Sequence, residues 1–289
     1  MFLAPFFLSA LLLTSARASQ AEPERGAAAV LEARGVEITY LANAGFYLES
    51  GNRSVLIDAC LREPVGLHSA LPGPVHGKLT NAKPPFDRPA LVLVSHEHLD
   101  HVQTRVLEKV LVNNPGARLV TSQQVVGALR GGAQDFEAIR GRVESVQPVP
   151  GTIQRREEDG LSVGFLRLEH SGKGHPMLVH FGHLIELGGL RILHVGDAEP
   201  TPANFAAYDL DSLGIDVAFV PYWYFGSAAG AEVLREQIKA RTVIACHVPP
   251  SKWAELNEFL KTQFPEVVLF KESLEKRSFL PAEPAPASR

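Results

Sequence analysis

Between Ser95 and His101 the chain places three imidazoles and two carboxylates in the order Ser-His-Glu-His-Leu-Asp-His. Imidazole nitrogens and carboxylate oxygens are the ordinary ligands of zinc, manganese and iron, and crowding them at spacings of one and two residues has no use in an apolar core. A wet polar loop is the alternative, but such groups are costly to desolvate without a partner. A single zinc takes three or four protein ligands. His96, His98, Asp100 and His101 exceed what one ion can use at this spacing, so two ions are implied and more ligands must come from elsewhere.

Several of the remaining histidines and aspartates fall at the ends of apolar runs. His194-Val195-Gly196-Asp197 closes one run with a glycine turn and a carboxylate, an arrangement that can direct one oxygen toward each of two ions. Ile244-Ala245-Cys246-His247 closes another in a histidine. His170 follows Leu166-Arg167-Leu168-Glu169 and precedes glycines, with His175 as its competitor for the same role. His180 and His183 read as packing or cross-strand partners, His68 and His76 as lying outside the ligand set, and Glu97 as pointing outward. Asp58 ends a run of its own and either orients ligands from behind or caps a loop.

The elements that position these residues can be read from periodicity and turn chemistry. Leu91 to Val94, after Pro89, reads as a buried strand that carries the cluster at its end. Val36 to Ser50 carries β-formers up to the Gly51-Asn52 turn, and Ser54 to Asp58 returns as the second strand of a hairpin. Residues 61 to 90, rich in Pro and Gly, read as a long loop forming one wall of a pocket. Helices are expected at 102–112, 123–130, 135–142, 231–240 and 252–264. Strands are expected at 117–121, 143–149, 153–157, 161–169, 177–187, 190–195, 211–221, 242–245 and 267–270, with Gly188-Gly189 as a hairpin turn. Tyr222, Trp223, Tyr224 and Phe225 follow one of these strands and either line an apolar substrate pocket or pack in the core. No period of 20 to 50 residues repeats, which argues against a solenoid or propeller.

Of 289 residues, 45% are hydrophobic and 21% charged, the balance of an ordinary globular chain. The net charge of -4 and the lack of a long basic run give no support to a nucleic-acid partner. Residues 2 to 16 are nearly all apolar and are followed by Ala16-Arg17-Ala18, so a signal peptide over 1–18 is expected, cleaved after Ala18. That run is short for a membrane span, and the mature chain is expected to be exported, periplasmic or secreted, without a stable membrane span. A polar lead-in over 19–35, one domain over 36–280 and a frayed tail over 281–289 complete the organisation. Cys60 and Cys246 each sit beside a motif; they either pair in an oxidising compartment or remain buried thiols.

Taken in order, Asp58, His96-x-His98-x-Asp100-His101, His170, Asp197 and His247 resemble the five motifs of the metallo-β-lactamase superfamily. The resemblance implies a four-layer αββα sandwich, two mixed sheets with outer helices, with the metals at one edge between the sheets. It implies that His96, His98 and His170 hold one divalent ion, that Asp100, His101 and His247 hold the other, and that Asp197 bridges them. Zinc is the expected metal, with manganese or iron as alternatives.

Superfamily members that open β-lactams typically lack the bridging carboxylate, so Asp197 points away from that activity. Tyr40-Leu41-Ala42-Asn43-Ala44-Gly45-Phe46, His194 to Asp197 and Ile215 to Pro221 are most similar to the branch of ascorbate-6-phosphate lactonase and the phospholipase D acting on N-acylethanolamine lipids. That branch often has Gly-His where this chain has Ala42-Asn43. The expected activity is metal-dependent hydrolysis of an ester-type bond, a phosphodiester or lactone, in a small or lipid-like substrate. Two ions supply hydroxide at neutral pH, and Asp100 takes a catalytic role by orienting it. Two rivals follow: an iron enzyme of oxygen or redox chemistry, against which His98 counts because diiron relatives commonly carry Glu there, and an exported binding protein, against which the full ligand set counts.

Overall fold

The computed structural model describes Met1 and residues 35–158, 160–172 and 174–282. The expected signal peptide, Met1 apart, the lead-in up to residue 34 and the tail from 283 lie outside the described residues.

Apolar runs without alternation become strands buried on both faces. In Val217-Ala218-Phe219-Val220, Val217 and Phe219 pack into the core between two sheets, while Ala218 and Val220 pack into a second core beneath the outer helices. Leu91 and Leu93 share the inter-sheet core in the same way, and Val92 turns to the helices on the other side. Strands covered on both faces are uniformly apolar for this reason.

The first sheet contains β1 (Val36–Ala42), β2 (Gly45–Ser50), β3 (Arg53–Ile57), β4 (Leu91–Leu93), β5 (Arg118–Ser122) and β6 (Val143–Val146). The second contains β7 (Ile153–Glu158), β8 (Leu161–Arg167), β9 (Phe181–Leu187), β10 (Leu190–His194), β11 (Val217–Pro221), β12 (Thr242–Cys246) and β13 (Val268–Leu269). A last strand, β14 (Lys276–Phe279), returns to the first sheet, whose order is β14-β1-β2-β3-β4-β5-β6; the second runs β13-β12-β11-β10-β9-β8-β7. Each half follows one plan, an antiparallel meander feeding parallel strands.

The helices are α1 (Gly73–Thr80), α2 (Thr104–Asn113), α3 (Gln123–Gly132), α4 (Pro202–Phe205), α5 (Leu210–Leu213), α6 (Ala228–Glu232) and α7 (Trp253–Gln263). In α2, Val106, Leu107, Val110 and Leu111 are buried, the three-and-four spacing of one helix face, and they join the core under the first sheet. Ser122 caps α3 by accepting the Val125 amide at 3.2 Å. The architecture is the four-layer αββα sandwich expected.

Local boundaries differ from the sequence reading in several places. Residues 61–90 contain α1, whose Val75 and Leu79 pack into the core. Val36 to Ser50 is two strands, split where Asn43 adopts a left-handed φ of 52°. The expected 177–187 strand begins at 181, leaving His175 and His180 in the loop before it. Residues 211–221 divide at Gly214, left-handed at φ 64°, into α5 and β11. The 135–142 segment is two short 3-10 turns, and β14 was not expected at all. Gly188 and Gly189, at φ 59° and 77°, form the expected hairpin turn. Cys60 and Cys246 are buried free thiols.

Candidate metal centre

The ends of β3, β4, β8, β10 and β12 lie at one edge of the sandwich, and each delivers part of the site. Ligand atoms of His96, His98 and His170 lie within 4.8 Å of one another, as do those of Asp100, His101, Asp197 and His247. His96 Nε2 is 3.0 Å from His98 Nδ1. Asp197 stands between the groups: Oδ1 is 3.2 Å from His101 Nε2, and Oδ2 is 3.2 Å from His247 Nε2 and 3.7 Å from His170 Nε2. Asp100 Oδ2 is 3.1 Å from His247 Nε2.

The supporting hydrogen bonds fix which nitrogen of each ring faces the centre. The buried Asp58 carboxylate accepts the Ser95 amide at 2.8 Å, the Ser95 hydroxyl at 2.6 Å and His101 Nδ1–H at 2.9 Å. Because the Ser95 proton goes to Asp58, Ser95 Oγ accepts from His96 Nδ1 at 2.9 Å. His170 Nδ1 donates to its neighbour's carbonyl, Ser171 O, at 2.6 Å. The Nε2 atoms of His96, His101 and His170 thereby face inward, which is how supporting partners orient metal-binding imidazoles. Asp58 thus lies behind His101 and Ser95, on the side away from the centre.

Sequence reasoning missed four groups here. His180 Nε2 accepts the Asp197 amide at 2.9 Å, and its Nδ1 donates to Leu168 O at 3.3 Å. His194 accepts the Gly196 amide at Nδ1 and donates from Nε2 to Ala44 O at 2.9 Å, tying the Asp197 loop to the first sheet. Gly196 is left-handed at φ 57°, and a Cβ there would fall 2.5 Å from His180 Nε2. Asn43 Nδ2 donates to Asp100 O at 2.8 Å, and its carbonyl accepts the His247 amide at 3.1 Å. Asn43 follows a β-forming run and precedes a glycine bend, the only trace of its role in the sequence.

Charge in the cluster is poised for a cation. Burial alone would raise the Asp58 pKa, but the His101 charge and hydrogen bond hold it near 2. Burial also works against Asp100, where the His247 hydrogen bond and the His101 charge keep it near 2. Asp197 is held well below the carboxylate range against its burial by His101 and His247. Conversely, burial pushes His180 down to about 3, so it stays a neutral acceptor. The ionic partners of the three carboxylates are histidines. Among the described residues, His170 Nε2 and Asp197 Oδ1 are buried without hydrogen-bond partners, and His101 Nε2 faces His247 Nε2 at 3.1 Å. Converging nitrogens and oxygens left in this state fit divalent metal ions.

His170 belongs to the three-histidine group. His175 is exposed, with its ring centroid 4.9 Å from that of His170, and belongs to neither group. His68 also lies outside both, although its ring packs 4.3 Å from His247 and its Nε2 is 3.9 Å from Asp100 Oδ2. The four aromatics divide: Tyr222 and Trp223 line a cavity of about 470 Å³ with Leu256 and Phe259, and the Trp223 ring centroid is 5.2 Å from that of His247. Tyr224 and Phe225 are buried in the core and do not line that cavity; the Tyr224 hydroxyl donates to Ala198 O at 3.0 Å and braces the Asp197 loop.

A family model described as "Beta-lactamase superfamily domain" matches residues 37–247, and the chain belongs to that superfamily. It is a metal-dependent hydrolase of the metallo-β-lactamase fold. A relative from Aeropyrum pernix, a "UPF0173 metal-dependent hydrolase", is 29% identical over 171 residues, covering 57% of this chain and 62% of its own length, less than two thirds. Another of the same description from Pyrococcus furiosus is 28% identical over 257 residues, covering 83% of this chain and 99% of its own. Among solved structures, the isothiocyanate hydrolase from Delia radicum gut bacteria superposes with a TM-score of 0.60 at 15% identity, covering 85% of this chain and 100% of its own, a likeness of fold alone.

Proposed function

We propose that the chain is an exported dinuclear hydrolase of an ester-type bond, a phosphodiester or a lactone, in a small or lipid-like substrate. His96, His98 and His170 hold one ion and Asp100, His101 and His247 the other, with Asp197 shared between them. Zinc suits this nitrogen-rich donor set best. The observation that carries this reading is the position of Asp197, whose two oxygens approach ligands of both groups within 3.7 Å.

Bound ions would lower the pKa of water toward neutrality and polarise the scissile carbonyl or phosphoryl group. The chain supplies the rest. Asp58 and Ser95 keep the Nδ1 protons of His101 and His96 outward from the centre, and Asn43 holds Asp100 so that Oδ2 faces it. Asp100 Oδ2 is placed to accept the proton of an attacking water. Trp223 and Tyr222 form an apolar wall beside His247 that excludes water and receives the substrate's apolar part. The negative net charge supports a substrate other than nucleic acid, and the apolar run before Ala18 supports export.

The test is hydrolysis of bis-p-nitrophenyl phosphate and of simple lactones by the metal-loaded mature chain, before and after chelation. Turnover of at least one class that vanishes with chelator and returns with zinc is expected. Chelator-insensitive turnover would contradict the proposal, as would inactivity of the fully loaded chain on both classes.

A further inference from the structure

On β8, Val163 and Phe165 face the core between the sheets, and Arg167 is next on that face, where alternation calls for another apolar side chain. The position falls at the metal edge of the sandwich. There Arg167 lines a cavity of about 560 Å³ together with His170, His175, Leu178 and Pro150. Its Nη2 donates to Leu178 O at 3.1 Å, but Nη1 is buried without a hydrogen-bond partner among the described residues. Burial disfavours its charge, and among the described residues the opposing electrostatic influence comes from Tyr208, a phenol, and not from a carboxylate. Glu169, also at the cavity, is exposed. An unpaired guanidinium N–H in a polar cavity is costly unless something occupies it.

Resting on the hydrolytic reading of the same centre, we infer that Arg167 is a specificity-determining residue whose Nη1 binds an oxyanion of the substrate, a carboxylate or phosphate, next to the His170 side of the metal centre. The substrate is then an ester carrying a fixed negative charge on the fragment that enters this cavity, and its apolar part lies on the Trp223 side. Charge-assisted guanidinium contacts are the strong class of hydrogen bond, so the discrimination is large.

Calorimetric titration of the metal-loaded full chain with succinate and with inorganic phosphate tests this, in the wild type, Arg167→Lys and Arg167→Gln. About a tenfold or greater loss of affinity for at least one anion is expected in Arg167→Gln, with partial retention in Arg167→Lys. The anion with the larger loss identifies carboxylate or phosphate. Phosphate held by the metals alone would bind wild type and Arg167→Gln equally; equal affinities for both anions, or no binding of either to the wild type, overturn the inference. In parallel, the kcat/KM ratio of mono-p-nitrophenyl succinate to p-nitrophenyl acetate is expected to collapse in Arg167→Gln and recover partly in Arg167→Lys. Should neither ester turn over while anion binding depends on Arg167, ester hydrolysis fails and the anion site stands. Should Arg167→Gln not fold, His175→Glu places a carboxylate in the cavity from its exposed rim. It is expected to weaken anion binding about tenfold at unchanged metal content, and unchanged affinity there overturns the inference.

Discussion

The two sheets contribute to one centre in opposite ways. The first sheet concentrates its donors in a single loop after β4, where His96, His98, Asp100 and His101 lie within six residues; one buried carboxylate, Asp58, braces His101 directly and His96 through Ser95, and Asn43 holds Asp100. The second sheet scatters its donors over three loops, His170 after β8, Asp197 after β10 and His247 after β12. Each has its own brace: Ser171 N–H donates to Asp197 O at 2.7 Å, His180 accepts the Asp197 amide, and Asn43 O accepts the His247 amide. Concentrated donors share a support, because Asp58 serves one histidine of each group, so its loss should damage both metal groups at once. Dispersed donors need several, and each loss should stay local.

The largest expected effect comes from the one residue both groups share. Asp197→Ala is expected to lower bound metal from two ions to one and to reduce kcat/KM by about 10³-fold, roughly 4 kcal/mol of transition-state stabilisation. Metal analysis beside steady-state kinetics reads both. Two retained ions with full activity would dissolve the distinction between a shared and a local donor.

Next, Asp58→Asn tests the concentrated half. Its loss should weaken metal affinity about 10- to 100-fold in a chelator competition, and both ions should weaken together because Asp58 orients His96 through Ser95 and His101 directly. A change confined to one ion would break the comparison. Its counterpart in the dispersed half, His180→Leu, removes the acceptor of the Asp197 amide. We expect a loss of about 1–3 kcal/mol in urea unfolding, with affinity of the two ions shifting unequally.

The smallest effect separates satisfied from unsatisfied buried histidines. His194 and His183 face each other across β10 and β9, yet among the described residues His194 has partners at both nitrogens and His183 has none. Burial pushes His183 down to about 3 from an ordinary value near 6.5. Between those values the unfolded chain binds the extra proton, so stability falls as pH drops through that window and is fully present above it. His183→Leu, flanked by Phe165 and Phe181, is expected to raise stability by about 1 kcal/mol at pH 7 and to flatten the acid limb. Equal acid sensitivity in denaturation curves at pH 5 and 7 would show that His183 has a partner in solution.

The same contrast explains what the sequence could disclose. Four donors in six residues are visible because contiguity is itself improbable, and sheets covered by helices follow from apolar runs that are buried on both faces, whereas the four-layer order comes from the family resemblance. His170, Asp197 and His247 were visible only as single polar residues ending apolar strands, and their convergence depends on strand order, which local patterning does not encode. Of the residues that brace or flank the site, Asn43, His180 and His194 act through two backbone contacts each, and Arg167 through a face parity, so none leaves a local signature. Which of His170 and His175 joins the three-histidine group depends on where β9 begins: residues 175–180 form a loop, and His175 ends up exposed at its outer side. Similarly, Tyr222 and Trp223 part from Tyr224 and Phe225 because the chain coils after β11 and turns the second pair into the core.

The most direct test of the central claim is the metal content and anomalous scattering of the wild-type chain loaded with zinc. The account predicts two ions per chain, roughly 3.5–4 Å apart, one within the His96, His98 and His170 group and the other within the Asp100, His101 and His247 group, with Asp197 in contact with both. One ion per chain at saturating zinc, or two ions with Asp197 turned away from either, would contradict it.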